Sequence, residues 1–148
     1  NMQAFLESLS RKRVEIEKRF RAVKFWICAP HRDLEAFSAI KTVIPDIEPV
    51  EIEYLLGEFR FGSEDVMITT RFHPHMMAAR SGVRGYFMKI SGDYYNDKHE
   101  SVRSLGSQFR PFSEFDELGF DLDPSTEMAQ MDLERVAQKR ALAARIYG

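Results

Sequence analysis

Cysteine is almost missing from this chain, and Cys28, alone among 148 residues, excludes an internal disulfide and any cysteine-rich zinc site. An excess of one charge is missing too. The formal net charge is −2, so no global field draws the chain to nucleic acid, and no nucleic-acid partner is expected. No window approaches the roughly 18 continuous apolar residues of a membrane span. No signal-peptide core opens the chain. The expected protein therefore has no membrane span and is cytoplasmic. Glycine is sparse, at eight residues, and no glycine-rich dinucleotide fingerprint or phosphate loop occurs, so no tightly cradled nucleotide cofactor is expected. No internal repeat is present.

What remains is the composition of a globular protein, 44% hydrophobic and 30% charged, long enough to bury a core. One α/β domain over residues 1–148 is expected, and two full domains are not. The first segment sets Phe5, Leu9, Ile16 and Phe20 on one helical face with its basic run mostly elsewhere. Val23 to Ala29 suits a buried strand, which makes Cys28 a buried structural thiol. Asp33 then caps a helix closed by Pro45, and Val50 to Tyr54 alternates as a short strand before a helical turn or loop to Phe61. Asp65 to Thr70 is a strand, Pro74 to Arg80 a helix, Gly82 its stop, and Tyr86 to Ile90 the next strand. Residues 93–99 and 107–123 are expected as loops, the first a surface turn or the cover of a pocket mouth. A final helix spans 124–147, capped by Ser125 or Thr126. Strands alternating with helices predict an open parallel sheet with helices on both faces, a Rossmann-like architecture.

Arg71 and His73 follow the third strand two residues apart. If the strand stays extended they share a face and point at one anion, with the helix N-terminus beside them. Ligands of parallel α/β sheets bind at carboxyl strand ends, where this pair falls. The plain alternative makes Arg71 a surface charge and His73 a hydrogen-bonded junction residue. His73 and His75 also raise a metal site, but Pro74 lies between them and no carboxylate stands at helical ligand spacing, so none is expected. His31, after the first strand, is at a carboxyl edge as well and lines the same cleft or caps its helix.

Five ordered stations resemble the C-terminal region of the polysaccharide pyruvyl transferase family. They are the strand Asp65 to Thr70 ending in Arg71 and His73, the small residues Ala78 and Ala79, Gly82-Val83, Tyr95-Asn96-Asp97-Lys98, and Leu105-Gly106. The resemblance covers roughly residues 20–106, and Arg84 stands where the family usually has proline. It implies a two-domain, glycosyltransferase-B-like enzyme of which this chain is the C-terminal half, its N-terminal domain being a missing partner. The start at Asn1 rather than Met fits a trimmed segment.

Such enzymes transfer an enolpyruvyl unit from phosphoenolpyruvate to a saccharide acceptor, with no cofactor. The resemblance implies donor-anion binding by Arg71 and Lys98, acid/base work or phosphate contact by His73, and a substrate contact from Tyr95, while His31 is a further substrate-contact candidate by its place at a strand's carboxyl edge. Arginine grips carboxylate or phosphate bidentately, lysine supplies a compact charge, and imidazole exchanges protons near neutral pH. The isolated half is expected to be inactive. Two other classes fit the same patterns: the nucleotide-sugar half of a glycosyltransferase with this architecture, and a noncatalytic association domain using its first and last helices.

Overall fold

The computed structural model describes residues 2–57, 59–62, 64–88, 93–113, 117–123 and 126–147, with only the backbone of Leu56 and Asp93. The chain divides into two compact units, one of Asn1–Arg60 with Glu114–Leu118, the other of Phe61–Ser113 with Gly119–Gly148.

The first unit begins with helix α1, Met2–Arg19, which buries Phe5, Ser8, Leu9 and Ile16 as the apolar spacing requires. The Ser8 hydroxyl accepts the Leu118 N–H at 3.0 Å, so the one polar residue on that face is satisfied. Phe20 lies just past the helix end, half-buried. Strands β1, Lys24–Ile27, and β2, Glu48–Glu51, pair in parallel with Trp26 opposite Val50. Helix α2, Pro30–Val43, joins them, and helix α3, Ile52–Gly57, follows β2 directly. Pro30 occupies the first turn of α2, where its missing N–H leaves no helical bond unmade. Asp33 closes this helix start from inside: its carboxylate accepts the N–H groups of Cys28 and Ala29 at 2.9 and 2.7 Å. The N-cap position itself belongs to Ala29, not to Asp33. Cys28 is half-buried rather than buried, because the strand ends at Ile27, one residue before it.

The second unit is a three-stranded parallel sheet with helices between its strands. Its elements are β3, Val66–Thr69; α4, Phe72–Arg80; β4, Arg84–Met88; α5, Asp93–Arg103; β5, Arg110–Phe112; and α6, Glu127–Tyr147. The strand order is β3-β4-β5, so β4 is central and buried along its length, while β3 has one hydrogen-bonded neighbour in its sheet. The core gathers Ala78 and Ala79 of α4, Phe87 of β4, Val102 of α5, Phe109, and Met128 of α6. Arg80 ties α4 to α6 through the Asp132 carboxylate at 2.6 Å.

Two helices end on glycines with φ of 76° and 99°, Gly82 and Gly106. In both, the amide two residues past the last cap returns to the last turn: Val83 N–H to the Ala78 carbonyl at 3.0 Å, Ser107 N–H to the Val102 carbonyl at 3.4 Å. This is the Schellman arrangement, which requires left-handed backbone at the glycine. Gly82 thus stops α4 as the sequence predicts.

Several boundaries differ from the sequence reading. Residues 93–103 form helix α5 rather than a loop, and β5 lies inside the stretch expected to be irregular. β2 starts at Glu48 and its neighbours from Ile52 are helical, not extended. α4 begins at Phe72 instead of Pro74, and α6 at Glu127, after the Thr126 carbonyl accepts its first helical bond at 2.9 Å. Lys89 and Ile90, expected to complete β4, and Pro124 and Ser125, expected to open the last helix, lie outside the described residues.

Gly85 leaves no room for a side chain against the neighbouring strand, since a Cβ built there overlaps the carbonyl oxygen of Met67, its register partner on β3. Gly85→Ala is expected to destabilise the protein by about 3 kcal/mol, because backbone on both sides must shift. Gly57→Ala, at a helix end where an added Cβ meets nothing within 4 Å, is expected to be neutral or stabilising by up to about 1 kcal/mol. Urea unfolding of the two variants checks the contrast, and equal effects would remove the close approach as the cause.

Candidate functional site

β3 ends at Thr69, and two residues, Thr70 and Arg71, carry the chain into α4. The Thr69 hydroxyl accepts the Arg71 N–H at 3.0 Å, holding Arg71 at the N-cap with extended φ and ψ of −106° and 137°. Arg71 and His73 are therefore not residues of one extended strand. Arg71 is the half-buried N-cap and His73 the exposed second residue of the helix. The first turn of α4 carries no acidic side chain of its own, which favours an anion at its N–H groups.

α5 brings Lys98 to the same corner. Its ammonium lies 5.6 Å from the centre of the Phe72 ring, the first residue of α4. The rings of Tyr94 and Tyr95, one turn earlier in α5, are 4.2 and 5.9 Å from the same nitrogen. Phe72 also meets the His73 imidazole edge-on, with ring centres 5.2 Å apart. Lys98 and His73 thus both meet one phenylalanine, with Tyr95 beside Lys98 and Arg71 next to the phenylalanine in sequence. His31 is exposed at the second residue of α2, in the first unit.

Beneath this corner lies a polar cluster that the spacing arguments overlook. His75 and His99 are 0% and 1% exposed, packed among the rings of Phe87 and Phe109. Their Nδ1 atoms are 2.9 Å apart. His75 Nε2 is 2.8 Å from the Ser107 hydroxyl, and His99 Nε2 is 3.3 Å from the Thr70 carbonyl oxygen. Burial pushes His75 down to about 3, with His99 and the Arg103 guanidinium also opposing a proton. Burial lowers His99 as well, partly offset by the Thr70 carbonyl and Glu100.

Both rings are therefore neutral near pH 7, and their tautomers follow from the partners. A carbonyl has no proton to give, so His99 carries its proton on Nε2 and accepts at Nδ1. His75 must then donate from Nδ1 and accept at Nε2. The Ser107 hydroxyl, which already accepts the Phe109 N–H at 3.3 Å, donates to that nitrogen. Every donor points one way, from Ser107 through His75 and His99 to Thr70. The helical signal for this cluster is present in the sequence: His75 shares the i, i+3, i+4 face of Ala78 and Ala79. His99 shares one with Val102, but only if residues 93–103 are read as a helix.

Among the described residues, no three His, Cys, Asp or Glu side chains are grouped to hold a metal ion, and no helix is long and apolar enough to cross a membrane. Comparison with family models, curated proteins and solved structures gives no match for this chain.

The buried imidazoles set an acid limit on stability. The unfolded imidazole binds its proton below about 6.5, whereas folded His75 does so only near 3. Their contribution is fully present above the unfolded value and is lost as pH falls towards the folded one. Stability should decline at up to about 1.4 kcal/mol per pH unit for His75, with His99 adding in the same direction. Urea midpoints between about pH 7.5 and about pH 5 measure it. A flat response there would mean that the imidazoles are not buried neutral.

Proposed function

We propose that the second unit carries the donor-anion side of a phosphoenolpyruvate-dependent pyruvyl transferase acting on a saccharide acceptor, this chain being the C-terminal, Rossmann-like half of a two-domain enzyme. The observation that supports it most is the convergence of Lys98 and His73 on Phe72, with Arg71 at the adjoining N-cap. These are the basic residues of the family resemblance, and they come from segments 25 residues apart.

The donor offers a phosphate, a carboxylate and an enol carbon esterified to that phosphate. An acceptor hydroxyl adds to the carbon bearing the phosphate oxygen, a proton enters at the methylene carbon, the phosphate leaves with its bridging oxygen, and a second hydroxyl closes the ketal, so that the two hydroxyl protons are balanced by the one gained at the methyl carbon and the one taken up by the released phosphate. Arg71 suits the planar carboxylate or phosphate, and Lys98 adds a point charge as negative charge grows on the leaving group. Tyr95 shapes the edge of this corner. His73, exposed in the first helical turn, exchanges the proton or contacts the phosphate. A second half supplies the acceptor surface, so the isolated chain should bind the donor without turning it over.

The noncatalytic association reading draws less support. Leu133, Leu142, Ile146 and Tyr147 of α6 are exposed, but Leu133 and Leu142 are about two and a half turns apart and face opposite ways, so they make no single seam.

Titration of phosphoenolpyruvate followed by phosphorus NMR tests the proposal. Binding is expected in the unaltered chain and should weaken about tenfold or more in Arg71→Ala and Lys98→Ala, with unchanged melting, as for lost charge-assisted bonds. In the complete enzyme His73→Ala should lower turnover by about 10²–10⁴-fold if it transfers the proton. Binding of a nucleotide sugar without phosphoenolpyruvate would favour the glycosyltransferase reading, and binding of neither defeats both.

A further inference from the structure

We propose that the chain Ser107–His75–His99–Thr70 is a positioning device for the anion corner, holding the β3–α4 junction that carries Arg71 and His73 at a fixed place against α5, which carries Lys98. The inference rests on the reading of Arg71 and Lys98 as donor ligands. Its physical part, the fixing of the junction, stands apart from that reading.

The junction consists of the two residues between the last of β3 and the first of α4. One backbone polar group of each is held by a side chain. The Arg71 N–H is bound by the Thr69 hydroxyl at 3.0 Å, and the Thr70 carbonyl lies 3.3 Å from His99 Nε2. His99 follows Lys98 in α5, and one helical step of about 100° separates them. With His99 turned into the core, Lys98 is turned to the surface beside Tyr94 and Phe72. His75 stands two residues after His73 on α4 and is likewise on the inner side while His73 is outside. Each buried imidazole is thus paired with an outward basic neighbour. Ser107 enters because the left-handed turn at Gly106 carries the chain back under α5, where its hydroxyl meets His75 at 2.8 Å.

Packing alone would not set this geometry. The rings of Phe87 and Phe109 stack on the imidazoles at centroid distances of 4.7 and 4.4 Å, and an apolar side chain of similar size would fill the same space. It would leave the Thr70 carbonyl and the His75 N–H unpaired, and so leave the junction free to move away. Because the Thr70 carbonyl can only accept, the donors have a single possible order, from Ser107 to Thr70. His75, His99 and Ser107 are therefore positioning residues, acting on the anion through Arg71 and Lys98 without touching it.

The test uses the full chain and two variants at His99, with phosphoenolpyruvate and inorganic phosphate as probes. His99→Leu removes both hydrogen bonds, whereas His99→Gln retains an N–H for the Thr70 carbonyl and an oxygen for His75. Amide exchange of Arg71 is read against that of Phe87 in the central strand, because a general loss of stability moves both together. In His99→Leu, Arg71 exchange should accelerate about tenfold more than that of Phe87, and donor affinity should fall about tenfold. His99→Gln should restore most of each. If His99→Leu does not fold, Ser107→Ala is read by the same two measures. Imidazole nitrogen shifts should report Nδ1–H on His75 and Nε2–H on His99. Unchanged relative exchange at Arg71, or the opposite tautomers, overturns the device. Relative exchange that changes as expected in a chain that binds neither probe upholds the clamp and removes the donor reading instead.

Discussion

A neutral imidazole enclosed by phenylalanine rings must find an acceptor for one nitrogen and a donor for the other, and two such rings joined through their Nδ1 atoms must be opposite tautomers. That requirement fixes more of the second unit than any single apolar contact does. It calls for an acceptor at the His99 end, and Thr70, in the break between β3 and α4, provides its carbonyl. At the His75 end it demands a hydroxyl, which the turn at Gly106 delivers as Ser107. The rotation of α5 about its axis and the register of α4 are both set by the same 2.9 Å contact. The surface corner of Arg71, His73 and Lys98 is the outer side of that arrangement.

The way these basic residues meet differs from the geometry that alternation suggests. A strand would present Arg71 and His73 on one face, but Thr69 turns the backbone before Arg71 and the helix starts at Phe72. The N-cap and second residue of a helix are a different pair of directions, both beside the unsatisfied N–H groups of the first turn. An anion there would meet Arg71 and the helix end together, and Lys98 arrives from α5 with its position limited by three aromatic rings. Such an ammonium is held loosely by quadrupole attraction of roughly 0.5–1 kcal/mol per exposed ring, so it can turn towards a phosphate at small cost.

The elements legible in the sequence are those with a steric or periodic reason to be so. β1, β3 and α4 follow from continuous apolar runs, a proline in the first turn and a glycine at the stop. Gly82 is legible because a left-handed residue is needed there and nothing bulkier accepts it readily. β2 and β5 were displaced or hidden by Pro49 and Pro111, which argue against a strand by composition. Both strands have a single partner in their described sheets, the condition under which a proline costs no ladder bond. α5 is obscured because Asp93, Asn96 and Asp97 are turn formers, and its inward face rests on Val102 and on a histidine that hydropathy counts as polar. The same misreading conceals the buried cluster: His99 looks like part of a polar loop until the helix is known. Sequence spacing places His75 beside His73 as though both could meet one metal, although helix geometry sends the two to different sides.

A polar cluster of this kind is poor as a source of stability. Replacing a well-paired buried polar group by an apolar one of equal volume is often neutral or favourable, whereas breaking it halfway is costly. The imidazoles add an acid liability, since unfolding lets them take up protons that the core denies them. What the cluster supplies instead is direction, because a chain of ordered donors specifies positions to a fraction of an ångström where stacked rings tolerate sliding. On the pyruvyl-transfer reading the acid liability is harmless in one respect. A phosphate ester gains its second negative charge above a pKa of about 6, so the pH range in which the donor is fully charged lies above the folded-state protonation of His75. The condition that keeps His75 neutral therefore holds wherever Arg71 and Lys98 have their most strongly charged ligand to bind.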